Sequence, residues 1–324
     1  MHLVRLGIAY TRLEILLSRV LITGISGHLG QRLSRLLVDD SNIDLVVGVD
    51  VRLPRFPLQD FVFEKCDLTH PTWVGEHIQD YRIDTVVHLG WDRGNWGGNP
   101  SATNIDGTLH VLKGVAKSNV KRIIFASSDA VYGYIPRDEN PLRENTPMVA
   151  DQTFPDAWNL VQVEQMLKIF AEHQPKVEQT VLRFGPILGR DSHEPSVEML
   201  RHNRLLREKD TNTQFGFISS EDAAAALATA VTAKRTGIFN AVGQGTLSVE
   251  EVAQVLGKTV EVGTMRSLRR FLSRQQLMGR PALDPDQVAM AIYRPQILPN
   301  SLRSTLGFRP RETSAEALSR WVKN

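Results

Sequence analysis

The segment Arg19-Val-Leu-Ile-Thr23-Gly24-Ile-Ser-Gly27-His-Leu-Gly30 constrains the fold more than any other stretch of the chain. A short apolar run with β-branched residues reads as a buried strand. It breaks at Gly24, and from residue 28 the apolar positions recur at helical spacing through residue 39. Glycines at every third place let the backbone turn tightly and let the helix start close against the strand. A strand that feeds a helix in this way needs a parallel partner on its return. The pattern then repeats. Strand-like runs lie at 19–23, 45–49, 85–89, 122–126 and 179–183, with helical spacing over 28–39, 71–80, 101–118 and 158–173. The strands are continuously apolar, so helices must cover both faces of the sheet. The expected class is α/β, a Rossmann doubly wound parallel sheet with a smaller, mainly helical C-terminal lobe.

The texture changes after Arg183. Residues 185–218 read as loop, helix and strand, and an alanine-rich helix follows Ser220. Gly237-Ile-Phe-Asn-Ala241 reads as one more strand, and Ser248-Val-Glu-Glu251 has capping-box spacing. The expected division is an extension at 1–18, a dinucleotide-binding domain of 19–184 plus 213–242, and a substrate lobe of 185–212 plus 243–324. The extension is an added helix, an unstructured arm or a cloning remnant. Arg12 and Glu14 interrupt its apolar run and no small-residue cleavage site follows, which argues against a signal peptide. No apolar run approaches the ~18 residues of a spanning helix, so no membrane role is expected. Lys plus Arg number 38 against 36 Asp plus Glu, a net charge of +2 in 324 residues. That balance leaves no electrostatic footprint for nucleic acid. One cysteine, Cys66, cannot form an internal disulfide, which fits a reducing, cytoplasmic setting. The expected partner is a small-molecule substrate, and a homodimer is compatible with the sequence.

The glycine turn also carries chemistry. Backbone N–H groups at a helix start, with the positive end of its dipole, are suited to phosphates. Gly24, Ser26, Gly27, His28, Leu29 and Gly30 are therefore candidate cofactor-binding residues. Asp50 closes the second strand about twenty residues further on, where a carboxylate can accept from a ribose 2′-hydroxyl. It would repel a 2′-phosphate, which favours NAD(H). Arg52 and Arg55 just beyond keep NADP(H) open.

Thr23-Gly24-x-x-Gly27-x-x-Gly30 together with later segments resembles the extended short-chain dehydrogenase/reductase family, which includes NAD-dependent epimerases and dehydratases. The resemblance covers about residues 19–310. It implies that Asp67 and Leu68 lie at the adenine, that Leu89, Gly90 and Trp91 lie under the dinucleotide, and that Asn104 steadies the sheet. Ser127 and Ser128 match the active-site strand end, and Phe184, Gly185 and Pro186 match a loop beside the nicotinamide. Members of the family carry Tyr-x-x-x-Lys on the next helix, where lysine lowers the pKa of the proton-transferring tyrosine. Counting back from Val163-Glu164-Gln-Met-Leu167 puts Asp156 and Leu160 in those places; a shift of two gives Trp158 and Gln162. Neither register restores the pair, and Tyr132 and Tyr134 belong to the preceding strand end. Ser128 and Asp129 remain as catalytic candidates.

Trp91, Asp92 and Trp96 follow the strand at 85–89, and Trp158 is a candidate for the facing wall of a substrate site. Aromatic faces stack on flat partners. The 9 histidines show no ligand spacing, so no metal is expected. The leading expectation is an NAD(P)H-dependent ketoreductase or dehydrogenase of atypical mechanism on an aromatic or polycyclic carbonyl, as in natural-product tailoring. An NAD-dependent epimerase, dehydratase or other isomerase is the first alternative, and a non-catalytic dinucleotide sensor or scaffold the second.

Overall fold

A computed structural model describes residues 18–54, 61–93, 99–137, 141–279 and 283–323. Seven parallel strands form the central sheet: β1 (Ser18–Thr23), β2 (Ile43–Asp50), β3 (Val62–Lys65), β4 (Thr85–His88), β5 (Arg122–Ser128), β6 (Glu178–Phe184) and β7 (Gly237–Ala241). Their spatial order is β7-β6-β5-β4-β1-β2-β3. The order reverses between β1 and β4, where Thr23 sits opposite both Val49 and His88. Ligands of open α/β sheets bind at such a reversal, outside the carboxyl ends of the strands. β3 goes beyond the strands expected from sequence: Val-Phe-Glu-Lys is half polar and lies at the sheet edge, so it lacks the apolar run of a buried strand.

Strand residues alternate between two cores. Leu21, Val47, Val86, Ile123 and Phe125 face one, while Val20, Ile22, Val46, Val87 and Ile124 face the other. The first is covered by α2 (Trp73–Asp80), α3 (Gly107–Ala116) and α4 (Pro155–His173), through Val74, Val111 and Val163 among others. The second is covered by α1 (His28–Val38) and the helix Ser220–Thr232, through Leu33, Leu37 and Leu227. Two helices differ in detail from the sequence reading. A π-helical turn at Ala102–Asp106 precedes α3, and α4 begins at Pro155, whose fixed φ suits the first turn.

The later residues add small pieces. Arg204–Glu208 pairs with Thr259–Gly263, and short helices close the C-terminal end. Ser248 and Glu251 form both bonds of a capping box at the start of Val249–Leu256.

One buried network ties β5, β6, β7 and α4 together. Arg183 and Glu164, each 3% exposed, meet at 2.6 Å. Ser127 Oγ donates to Glu164 at 2.5 Å, Arg183 Nη1 donates to Tyr132 Oη at 2.9 Å, and that hydroxyl donates to Asn240 Oδ1 at 2.7 Å. A buried pair of this kind contributes little net stability, but removing one partner strands the other charge. Glu164→Ala should cost about 3–5 kcal/mol in urea unfolding. A loss below about 1 kcal/mol would mean that water reaches Arg183 in the folded protein.

Candidate active site

The cleft at the β1–β4 reversal is built by a turn only glycine can make. Gly24 has φ +70°, and a Cβ there would lie 2.6 Å from the Leu89 carbonyl oxygen. A Cβ on Gly30 would lie 2.5 Å from the Gly24 oxygen, so the first turn of α1 is pressed against the loop. Gly27 caps α1 with an extended backbone and donates its N–H to Gly24 O at 3.0 Å. Asp50 bolts the loop from β2: Oδ2 accepts from Ser26 N and Oδ1 from Arg52 N, both at 3.1 Å. Ser26 Oγ donates to Arg52 O at 2.6 Å, and the Arg52 guanidinium stands 3.9 Å from Asp50. His28 opens α1 with Nε2 buried and without a hydrogen-bond partner among the described residues. Burial first, then the charge of Arg93, lowers its pKa to about 3, so the ring is neutral.

Behind the cleft a polar chain fixes the opposite lip. Leu89 N and Gly90 N donate to Thr23 Oγ1 at 3.1 and 3.0 Å, and Thr23 pairs with His88 Nδ1 at 2.7 Å. His88 Nε2 pairs with Thr108 Oγ1 at 2.9 Å, and Thr108 donates to Asn104 O at 2.6 Å. With both amides donating to Thr23, its hydroxyl hydrogen goes to Nδ1 and the ring proton sits on Nε2. Burial lowers the His88 pKa to about 4, which keeps that neutral tautomer. Asn104 is buried and exchanges two bonds with the Asp92 backbone, each 2.8 Å.

The other sequence candidates divide between walls and supports. Leu29, Leu89, Gly90, Trp91, Ser127, Ser128 and Phe184 line the cleft with the glycine turn. Leu68 lies beneath Gly90, whose added Cβ would come within 2.5 Å of its Cδ1. Asp67 accepts from Thr69 N and Oγ1 at 2.9 and 2.8 Å and shapes the turn after β3. Gly185 N donates to Ala241 O and Pro186 O accepts from Ile218 N, which steers the chain out of β6.

A second pocket adjoins the cleft, and Arg93, Ser128 and Glu194 line both. Ser128 Oγ accepts from Ala130 N and donates to Asp129 Oδ1, both at 3.2 Å. Asp129 is 3% exposed and lies behind that serine. Burial pushes its pKa up to about 6, opposed by Arg294 at 3.9 Å. Leu160 lines the cleft and Asp156 lines the adjoining pocket, where the indole N–H of Trp91 donates to Asp156 Oδ1 at 2.5 Å. The Trp91 ring also packs on Phe125 with centroids 6.1 Å apart. Trp158 is half-buried on α4 and is part of neither wall; Trp96 and Arg55 lie outside the described residues.

Sequence reasoning missed Arg93, Glu194 and Arg294. Arg93 stands 3.7 Å from Asp156 and 3.8 Å from Glu194, between two carboxyl groups. Glu194 accepts from Ile187 N at 3.2 Å, and burial pushes its pKa up to about 7 against the opposing charge of Arg93. The side chain of Arg294 is 2% exposed, and its terminal nitrogens have no hydrogen-bond partner among the described residues. Among the described residues, no cluster of side chains could hold a metal, and no helix is long and apolar enough to cross a membrane.

The profile of the NAD dependent epimerase/dehydratase family matches residues 20–241. The chain belongs to that family, and NAD(H) is the cofactor this membership carries. An uncharacterized protein of Mycobacterium tuberculosis is 24% identical over 329 residues, covering 94% of this chain and 83% of its own. In fold the chain is similar to UDP-glucose 4-epimerase of Thermus thermophilus in complex with NAD. The TM-score is 0.70 at 21% identity, covering 94% of this chain and 98% of that one. It is similar as well to dTDP-glucose 4,6-dehydratase of Bacillus anthracis in complex with NAD. There the TM-score is 0.69 at 17% identity, covering 94% and 96%.

Two outcomes follow from this geometry. Asp50→Ala should weaken NADH binding and relax discrimination against NADPH in calorimetry. Tighter NADPH binding by the unaltered protein would mean that Arg52 outweighs the carboxylate. His88 should remain neutral at pH 5, with its proton on Nε2 in nitrogen NMR; a charged ring at that pH would contradict the buried chain. Between pH 4 and 6.5 the unfolded chain holds a proton that folded His88 lacks. This site's contribution to stability therefore falls by about 1.4 kcal/mol for each unit the pH drops through that window.

Proposed function

We propose that this protein is an NAD-dependent enzyme of the epimerase or dehydratase type, acting at a hydroxyl-bearing carbon of a small polar substrate such as a sugar nucleotide. One observation carries the reading: the family is that of NAD-dependent epimerases and dehydratases. The cleft also opens, through Ser128, Arg93 and Glu194, into a pocket where these groups and Asp156 stand among apolar walls that include Tyr134 and Phe154. The leading expectation from sequence, an aromatic or polycyclic carbonyl substrate, draws on Trp91, Trp96 and Trp158. Trp91 has its indole N–H tied to Asp156 and its ring on Phe125, and Trp158 stands apart from both walls.

The residues present fit NAD(H). Gly24 and Gly30, where a Cβ would strike the Leu89 and Gly24 carbonyl oxygens, let the start of α1 close against the strand ends, and His28, whose buried Nε2 has no partner among the described residues, lines the same cleft. The N–H groups at the start of α1 would meet the phosphates. Asp50 keeps acceptor capacity beyond its two backbone bonds and would take a ribose hydroxyl. When bound, NAD supplies the acceptor and the donor of a hydride. Ser128 would hold the substrate oxygen, since the residue lines both spaces. Leu160 offers neither the charge nor the ribose hydrogen bond of the family's lysine. The site must therefore move protons without a tyrosine of lowered pKa.

The test is incubation of the protein with NAD+ and a panel of UDP- and dTDP-hexoses, followed by proton NMR of the sugar. An isomerised or dehydrated sugar with no net change in NAD+ supports the reading. Stoichiometric oxidation of NADH by a ketone, with no change in any sugar, would replace it with a net reductase.

A further inference from the structure

Without the tyrosine–lysine pair the site needs another proton carrier, and the wall common to the two pockets holds a group suited to that task. We infer that Glu194 is the acid–base residue of this enzyme, exchanging a proton with the substrate hydroxyl while Ile187 N anchors its carboxyl group and Arg93 stands beside it. The inference rests on the function proposed above and names how that site moves its proton.

Glu194 precedes the short helix Pro195–Glu198 and is only 13% exposed along its side chain. Its Oε2 is anchored by Ile187 N at 3.2 Å, next to the carboxyl end of β6. Its Oε1 lies 3.8 Å from Arg93 Nη2, beyond hydrogen-bond reach, and is the oxygen the backbone leaves unengaged. The residue borders both the dinucleotide cleft and the adjoining pocket, as a group serving a substrate beside the nicotinamide must.

The competing groups are otherwise occupied. Asp156, one of the two candidates for the tyrosine's place, has Oδ1 bonded to Trp91 Nε1 and, unlike Glu194, does not border the dinucleotide cleft. Asp129 is sealed behind Ser128. Tyr132 gives its hydroxyl to Asn240 and receives Arg183, and burial raises the pKa of both Tyr132 and Tyr134. His28 stays neutral at the glycine turn.

The charges facing Glu194 are Arg93 from the loop after β4, Asp129 after β5 and Asp156 on α4, with Arg294 behind Asp129. His28 on α1 borders the same cleft, and His193 precedes Glu194 in the chain. Burial and the two carboxylates outweigh Arg93, so the group titrates at about 7, where both protonation states are available. In the oxidising direction the substrate O–H bond breaks and an O–H bond forms at Glu194. The electron pair stays on the substrate oxygen, whose carbon gives its hydride to the nicotinamide. The reverse step returns both.

The experiment has one arm that needs no substrate. Infrared difference spectra of the unaltered protein against Glu194→Gln should show one carboxylic acid titrating near neutrality. A midpoint in the ordinary glutamate range overturns the inference. In the kinetic arm, run on whichever alcohol or ketone the protein turns over, Glu194→Gln should lower kcat about 10²–10⁴-fold. The pH-rate limb near 7 should vanish, and NADH affinity should stay within about twofold. Formate should restore part of the rate to Glu194→Ala, which tests the role even if the glutamine variant folds poorly. Retention of both rate and limb in Glu194→Gln overturns the inference. Sugar turnover that survives in Glu194→Gln removes Glu194 and leaves the epimerase reading standing. Ketone reduction that depends on Glu194, with no sugar turnover, does the reverse.

Discussion

The close approach of β1 and β4 at their carboxyl ends sets everything that follows. Gly24 can meet the Leu89 carbonyl only because it has no Cβ and accepts φ +70°. The Thr23 hydroxyl gathers the amides of Leu89 and Gly90 and passes its own hydrogen to His88. Through Thr108 and Asn104 the same chain reaches the Asp92 backbone, next to Arg93. One seam thereby places the glycine turn on one side of the cleft and the base of the Trp91–Arg93 segment on the other. A buried chain this well satisfied has one arrangement of donors, which makes the lip rigid.

On that scaffold the proposed loss of the tyrosine–lysine pair, read from the sequence at Asp156 and Leu160 or at Trp158 and Gln162, would have an electrostatic consequence. Lysine beside the cofactor would add a cation that draws a phenol toward ionisation. Leu160 adds none, and the nearby phenols are driven the other way by burial. The site instead sets Arg93 between the carboxyl groups of Asp156 and Glu194. An arginine so placed opposes the burial that raises the pKa of Glu194, which is pushed up to about 7.

Sheet and turn were legible in the sequence because their signals are local. Apolar runs, glycine spacing and the acid at the end of β2 all lie within a short stretch, and each records a backbone demand. β3 was not legible, because an edge strand with one polar half carries no such run. The functional groups were harder. Glu194 acquires its character from Ile187, Arg93 and burial, all tertiary facts, and nothing in His193-Glu194-Pro195 marks it out. Arg294 is likewise an ordinary arginine until folding buries it beside Asp129. Ser127 and Asn104 show the opposite case: the sequence places them near the cofactor, and the fold commits their hydrogen bonds to Glu164 and to the Asp92 backbone.

The central claim is that the glycine turn at the β1–β4 reversal holds NAD(H). Gly27 tests it most directly, because its φ of −72° suits any residue and an added Cβ has one tight contact, the Gly24 oxygen at 3.1 Å, which a shift of a few tenths of an ångström relieves. Calorimetric titration with NADH, alongside Tm, should show one site in the unaltered protein. In Gly27→Val that binding should be lost while Tm stays within a few degrees. Equal NADH affinity in the two proteins would place the dinucleotide elsewhere and contradict the account.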